Sequence, residues 1–168
     1  MNKIKVLGVD PRSQSKTSLK PPAPLPHVSR RALARVRDRI EQPTSCHCCG
    51  GPVKLTNNRD IYGGQSFGAW PYVYRCAQCQ AYVGLHPDTD LPLGIMADRH
   101  TIQARKEAKT VFQRLVLVKH NRDRNAGYAW LAGELDIPAS ICHFGMFDRS
   151  LALAARDACW CALEAREQ

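Results

Sequence analysis

The chain has 168 residues, 44% hydrophobic and 23% charged, enough for one modest domain or two small ones. No apolar run approaches the roughly eighteen residues that span a bilayer, so a soluble chain with no membrane role is expected. The net charge of +9 is uneven: residues 1–43 carry ten Lys/Arg against Asp10, Asp38 and Glu41, while the other 125 residues carry 14 basic against 12 acidic groups.

Residues 1–28 open on a brief apolar patch, Ile4, Val6, Leu7 and Val9, where a short strand is expected. The charges at Lys3 and Lys5 and the lack of a sustained apolar run argue against a signal peptide, so a reducing, cytoplasmic setting is expected. Pro21-Pro22-Ala23-Pro24-Leu25-Pro26 forbids helix and sheet ladder alike, which predicts a flexible, disordered basic arm. A basic amphipathic helix follows within 29–43, capped by Ser29, running to about Glu41 and stopped before Pro43. Leu33, Val36 and Ile40 give it one apolar stripe. Arg30, Arg31, Arg35, Arg37 and Arg39 cover the rest, either as a solvated face or as phosphate contacts.

Residues 44–94 hold the strongest signal. Cys46-x-x-Cys49 and Cys76-x-x-Cys79 are two CxxC knuckles, the four-thiolate arrangement of a structural zinc site. Two residues between thiolates let one tight turn aim both sulfurs at a single ion. Gly50 and Gly51 follow the first knuckle, where the backbone must turn sharply. Disulfides fit a reducing setting poorly, and redox CxxC chemistry wants a βαβ context that is absent. His47 and Cys48 lie within reach as substitutes, but adjacent Cys48 and Cys49 would strain the turn, so Cys46 pairs with Cys49.

The intervening segment suits a small ribbon. Val53-Lys54-Leu55-Thr56 alternates as a half-buried strand does, Asn57-Asn58 signals a turn, and Arg59-Asp60-Ile61-Tyr62 reads as a return strand. Trp70 to Arg75 and Ala81 to Leu85 are strand-like by their aromatic and β-branched content. Tyr72 and Tyr74 share one face. Either they pack inward as the small core, or they stack on unpaired bases beside Arg59 and Arg75.

Residues 95–168 read as a three-helix unit. Asp98 caps a helix to about Lys119, with Ala104, Ala108, Val111, Phe112, Leu115 and Val118 on one face. Asp123 or Asn125 caps the next, with Tyr128, Leu131 and Leu135 inward until Ile137-Pro138. Asp148 caps the last, through about Glu164, burying Leu151, Ala152, Ala155, Cys159 and Leu163.

Catalytic constellations are sparse. An HNH-like nuclease is a remote alternative: His120-Asn121 lacks the strand context, and His86 with Asp88 and Asp90 is equally a turn. Cys142, His143, Cys159 and Cys161 suggest a second metal site less than buried thiols acting as small apolar residues.

Further segments accompany the knuckles in a fixed order: after Cys46-x-x-Cys49-Gly50 come Ile61-Tyr62-Gly63, Ser66-Phe67-Gly68, Cys76-x-x-Cys79-x-Ala81-Tyr82-Val83-Gly84-x-His86, Pro92-Leu93-Gly94, Ala97-Asp98, Tyr128-Ala129-Trp130-Leu131-Ala132 and His143-x-Gly145-x-Phe147-Asp148. Over about 44–164 this resembles a family of zinc-finger-containing proteins of unknown function, encoded mainly by bacteriophages and prophages. The resemblance implies a zinc ribbon with a helical tail and, by analogy with topoisomerase-type ribbons, nucleic-acid contact.

The expectation is therefore an α+β chain: a flexible arm (1–28), a basic helix (29–43), a four-cysteine zinc ribbon (44–94) and a helical domain (95–168). Zn2+ is the cofactor, held by Cys46, Cys49, Cys76 and Cys79. The expected role is non-enzymatic binding of nucleic acid, DNA ahead of RNA, through Arg30, Arg31, Arg35, Arg37, Arg39, Arg59, Arg75, Tyr72 and Tyr74. The rival is a module docking on a host or phage enzyme such as a polymerase. No small-molecule substrate is evident.

Overall fold

The computed structural model describes residues 4–165. It divides into two compact units, Met1–Asp98 and Arg99–Gln168, each with its own core. The described residues form one three-stranded antiparallel sheet and four α-helices, a small α+β architecture. None of the helices is long and apolar enough to cross a membrane.

In the first unit the strands are β1 (Val53–Asn57), β2 (Tyr72–Cys76) and β3 (Tyr82–Gly84), in that spatial order. Val53 faces Cys76, and Leu55 faces Tyr74, which in turn faces Val83, so these side chains share the inward face. The return strand expected at Arg59–Tyr62 does not form. Asn57 accepts the Arg59 N–H and caps a 3-10 turn at Asn58–Asp60, and the chain returns only at Tyr72. Residues 95–97, expected in the helical half, complete this unit instead: Ile95, Met96 and Ala97 are buried, and Ala97 bridges Tyr82.

The arm is a correction. Its prolines exclude helix and ladder as expected, yet an extended chain still has side chains to bury. Leu25 sits in the ribbon core with Tyr74, Ala81, Val83 and Met96, while Pro22, Pro24 and Pro26 stay exposed. Asp10 caps a 3-10 turn at Pro11–Gln14, and Arg12 forks between Asp10 (2.8 Å) and Asp90 (2.7 Å). Both carboxylates are buried, so the ion pair ties the arm to the chain seventy-eight residues on. Ile4–Val9 forms no strand; Leu7 donates to the Arg39 carbonyl at 2.8 Å.

The basic helix is shorter than its pattern. Helix α1 spans Arg30–Arg35, with the Ser29 hydroxyl accepting the Ala32 N–H as the expected cap. Val36 already has extended dihedrals. A helix of this length cannot hold itself by internal hydrogen bonds, so burial sets its end. Leu33 and Val36 pack with Leu91, and Ile40 is buried without helical geometry.

The second unit follows its sequence closely. Its helices are α2 (Arg99–Lys119), α3 (Arg124–Glu134) and α4 (Arg149–Glu164). Asp123 accepts from Asn125 and Ala126 at the start of α3, and Asp148 from Leu151 at the start of α4. Phe112, Leu115, Leu131, Ala152, Ala155 and Cys159 form the core. Val118, expected inward, is exposed. Two short 3-10 turns, Ala139–Ile141 and Phe144–Met146, swing Phe144 and Phe147 into that core. Gly127 is buried and lets the helices pack closely, since a Cβ there would lie 2.5 Å from Val116 Cγ2 and 3.2 Å from Phe112 Cζ.

Candidate metal centre

The two knuckles have the same backbone plan. The Cys46 N–H donates to the Gly51 carbonyl at 2.9 Å, and the Cys76 N–H to the Ala81 carbonyl at 2.8 Å. Each therefore closes a loop from the first cysteine to the residue five positions on. Within each loop an amide two residues ahead points back at sulfur: Cys48 N–H to Cys46 Sγ at 3.3 Å, Gln78 N–H to Cys76 Sγ at 3.4 Å. The residue after each second cysteine is left-handed, Gly50 at φ 72° and Gln80 at φ 65°. The glycine was legible; Gln80, a residue with no special tolerance for that region, was not. Gly51 contributes close approach instead, since a Cβ there would meet the Gln78 side chain at 2.5 Å.

The four sulfurs of Cys46, Cys49, Cys76 and Cys79 all lie within 4.8 Å of one another. Cys46 Sγ is 3.5 Å from Cys79 Sγ, and Cys49 Sγ is 3.5 Å from Cys76 Sγ. A tetrahedron with metal–sulfur distances of about 2.3 Å has an edge of about 3.8 Å, so the cluster has the size of a four-thiolate zinc sphere. Disulfide bonds are far shorter, about 2.05 Å, and all the cysteines are free.

The electrostatics point the same way. Burial pushes the Cys76 thiol up, but the amides of Cys79 and Gln78 and the Cys49 and Cys79 thiols outweigh it, bringing Cys76 down to about 6. The Ala81 amide draws Cys79 down, yet burial and the three neighbouring sulfurs prevail and push it up to about 12. Burial also raises Cys46. Cys46 and Cys79 thus resist ionising beside a Cys76 thiolate, because sulfur anions held this close repel. A divalent cation removes that resistance, and four thiolates leave it no open position for water or substrate.

His47 and Cys48 stand outside this group. His47 Nδ1 accepts the Met96 N–H at 3.2 Å, and the Cys48 thiol donates to the Met96 carbonyl at 3.7 Å. The other suspected constellations are otherwise employed. Asp90 pairs with Arg12, Asp88 lies 3.1 Å from His27, His120 packs against Trp130, and Cys142 and Cys159 are buried.

The residues assigned to nucleic acid divide. Arg30, Arg31, Arg35, Arg37 and Arg59 are exposed. Arg39 is half-buried, donating to the Gly8 carbonyl at 3.3 Å, and half-buried Arg75 bonds Gln80. Tyr74 is withdrawn from the interface: it is buried and its hydroxyl donates to the Asp90 carbonyl at 2.8 Å, so no base can reach its ring. Tyr72 is half-buried against Trp70, with ring centroids 5.0 Å apart. Both tyrosines belong to the inward face, which is the core reading of the pair.

A compact knuckled sheet around four convergent sulfurs defines a zinc-finger class of protein. Consistent with that, the model of a family described as a zinc-finger-containing domain matches residues 42–156, most of the chain. The chain belongs to this zinc-finger-containing family, whose function is unknown. No curated protein and no solved structure matches it.

Proposed function

We propose that this zinc-finger protein binds nucleic acid, DNA ahead of RNA, without catalysing a reaction. One observation carries the proposal. Arg30, Arg31, Arg35 and Arg37 all reach solvent within one short segment whose Leu33 and Val36 are buried, so the charges sit on a fixed frame. Arginines held in place neutralise phosphates without first losing chain entropy. In this role the zinc is structural: it holds the knuckles together while the arginines meet the ligand.

Deleting residues 1–43 would be a poor test, because Leu25, Leu33, Val36 and Ile40 are core. The better test replaces Arg30, Arg31, Arg35 and Arg37 by Gln and follows oligonucleotide binding against salt. Wild type should lose affinity steeply with salt, and the variant should show a slope smaller by about one for each phosphate it no longer neutralises. Salt-independent binding, or none, by the zinc-loaded wild type overturns the proposal.

A docking role on a protein enzyme has one observation in its favour. The helical unit carries an open hollow of about 320 Å³ floored by Phe112 and Val116, with Leu117, Arg122 and Arg124 at its edge. A stoichiometric partner captured from nuclease-treated lysate by wild type, and released by Leu117→Glu, would favour that role.

A further inference from the structure

The outer face of the sheet carries aromatics that its strand pattern did not advertise. Lys54 stands opposite Arg75, and Arg75 opposite Tyr82, so these three share the face turned away from Tyr74 and Cys76. The segment joining β1 to β2 folds back over this face. Thr56, two residues on from Lys54 on the same face, donates to the Asp60 carboxylate, and the Tyr62 and Tyr82 side chains interact electrostatically.

Tyr62 and Phe67 pack edge to face with centroids 5.2 Å apart, yet 44% of one and 54% of the other stay in solvent. Their loop is built to keep them there. Asn58, itself buried, donates to the Phe67 carbonyl at 2.8 Å and accepts the Phe67 N–H at 3.1 Å. Asn57 accepts the Ser66 hydroxyl at 2.6 Å and the Arg59 amide at 2.9 Å. Gly63, Gly64 and Gly68 take the positive φ angles that the turns require. The Asn58 amide is paired on both its nitrogen and its oxygen, so it fixes the loop at little cost and keeps two neighbouring rings together in solvent as one small apolar patch. Around these rings Lys54 and Arg59 are exposed and Arg75 is half-buried, against one acid, Asp60, already bonded to Thr56.

We propose that this outer face binds single-stranded nucleic acid, with bases stacking on Tyr62 and Phe67 and phosphates passing Lys54 and Arg59. The inference rests on the nucleic-acid role proposed above and adds the strand state and the binding surface. Exposed rings beside cations recognise an anionic polymer with open π faces, and a paired duplex offers none. An acidic peptide would satisfy the cations but leave the rings without flat partners.

The test measures fluorescence anisotropy of the zinc-loaded full chain with a labelled oligothymidylate strand and with a labelled duplex, at one salt concentration. The single strand should bind more tightly. Tyr62→Ala/Phe67→Ala should weaken single-strand binding roughly ten- to hundredfold and leave duplex binding within about twofold. Tyr62→Phe/Phe67→Tyr, which keeps both rings, should restore it, and an unchanged amide NMR spectrum outside the loop should show that the fold survives. Equal or tighter duplex binding, or an alanine variant that holds the single strand as wild type does, overturns the inference and leaves the arginine-based role standing. Failure of wild type to bind either oligonucleotide overturns both.

Discussion

The two units hold their shapes by different means. The helical unit relies on area: Phe112, Leu115, Leu131, Phe144 and Phe147 are buried together, and its polar groups are confined largely to caps and surface. The knuckle unit has strands of three to five residues and relies on points: four sulfurs, an arginine forked between two buried carboxylates, and a tyrosine hydroxyl on a buried carbonyl. Area is forgiving, since losing one methyl leaves the rest in place. A point fixing fails whole when one partner goes.

The largest effect should come from removing the metal. A structural four-thiolate zinc contributes about 10–16 kcal/mol of apparent folding energy, more than a small sheet has in reserve. Chelation, or Cys76→Ser, should collapse the dispersed amide NMR signals of residues 44–98 while leaving far-ultraviolet helicity mostly intact. Cys48→Ser should do neither, because its sulfur lies outside the cluster. Acid should favour the same collapse, since each ligand binds as thiolate and metal release takes up protons. Loss of helicity in step with the sheet would show that the two units unfold together.

Phe112→Ala comes next, at about 4 kcal/mol lost from the helical unit by burial and cavity terms together. Urea unfolding followed at helical wavelengths should report it, with zinc retention unchanged.

Arg12→Ala should cost the knuckle unit about 3 kcal/mol, the low end for a broken buried pair because Arg12 is partly exposed. Its pH dependence has a definite sign. Burial lifts the Asp10 carboxyl, but the Arg12 side chain and amide more than offset this and hold it below its usual value. Wild type therefore gains stability from Asp10 above the ordinary carboxylate range and loses it as pH falls through the depressed value. In Arg12→Ala the guanidinium is gone while the amide of residue 12 and Arg39 still lower the carboxyl, so that acid-side loss should shrink. Urea midpoints between neutral and acidic pH would measure this.

The smallest effect tests packing against local preference. Gly127→Ala gains about 1 kcal/mol of helix propensity but drives a methyl into Val116, so a net loss of about 1 kcal/mol is expected in thermal unfolding.

What was legible in the sequence follows the same division. Helical burial repeats every three to four residues, so Ala104, Ala108, Phe112 and Leu115 on one face and the Asp148 cap could be read directly, while the cap of α3 was narrowed to Asp123 or Asn125 and is Asp123. The knuckles were legible because chelation fixes the spacing. Point fixings between distant residues leave no period. Nothing near Arg12 announces Asp90, and nothing in the proline run marks Leu25 as the residue that turns inward. The outer aromatics escaped for another reason: Tyr72 and Tyr74 alternate visibly, whereas Tyr62 and Phe67 owe their placement to an asparagine clamp in a glycine-rich loop.

The fork at Arg12 has a bearing on how the molecule can be divided. The segment shared with the family begins at residue 42, downstream of the arginine but upstream of Asp90, so a fragment trimmed to that border inherits the acid without its counter-ion. It also inherits the empty seats of Leu25 and Leu33. A fragment that is to fold without its first forty-one residues therefore needs Asp90 neutralised and those two apolar seats refilled.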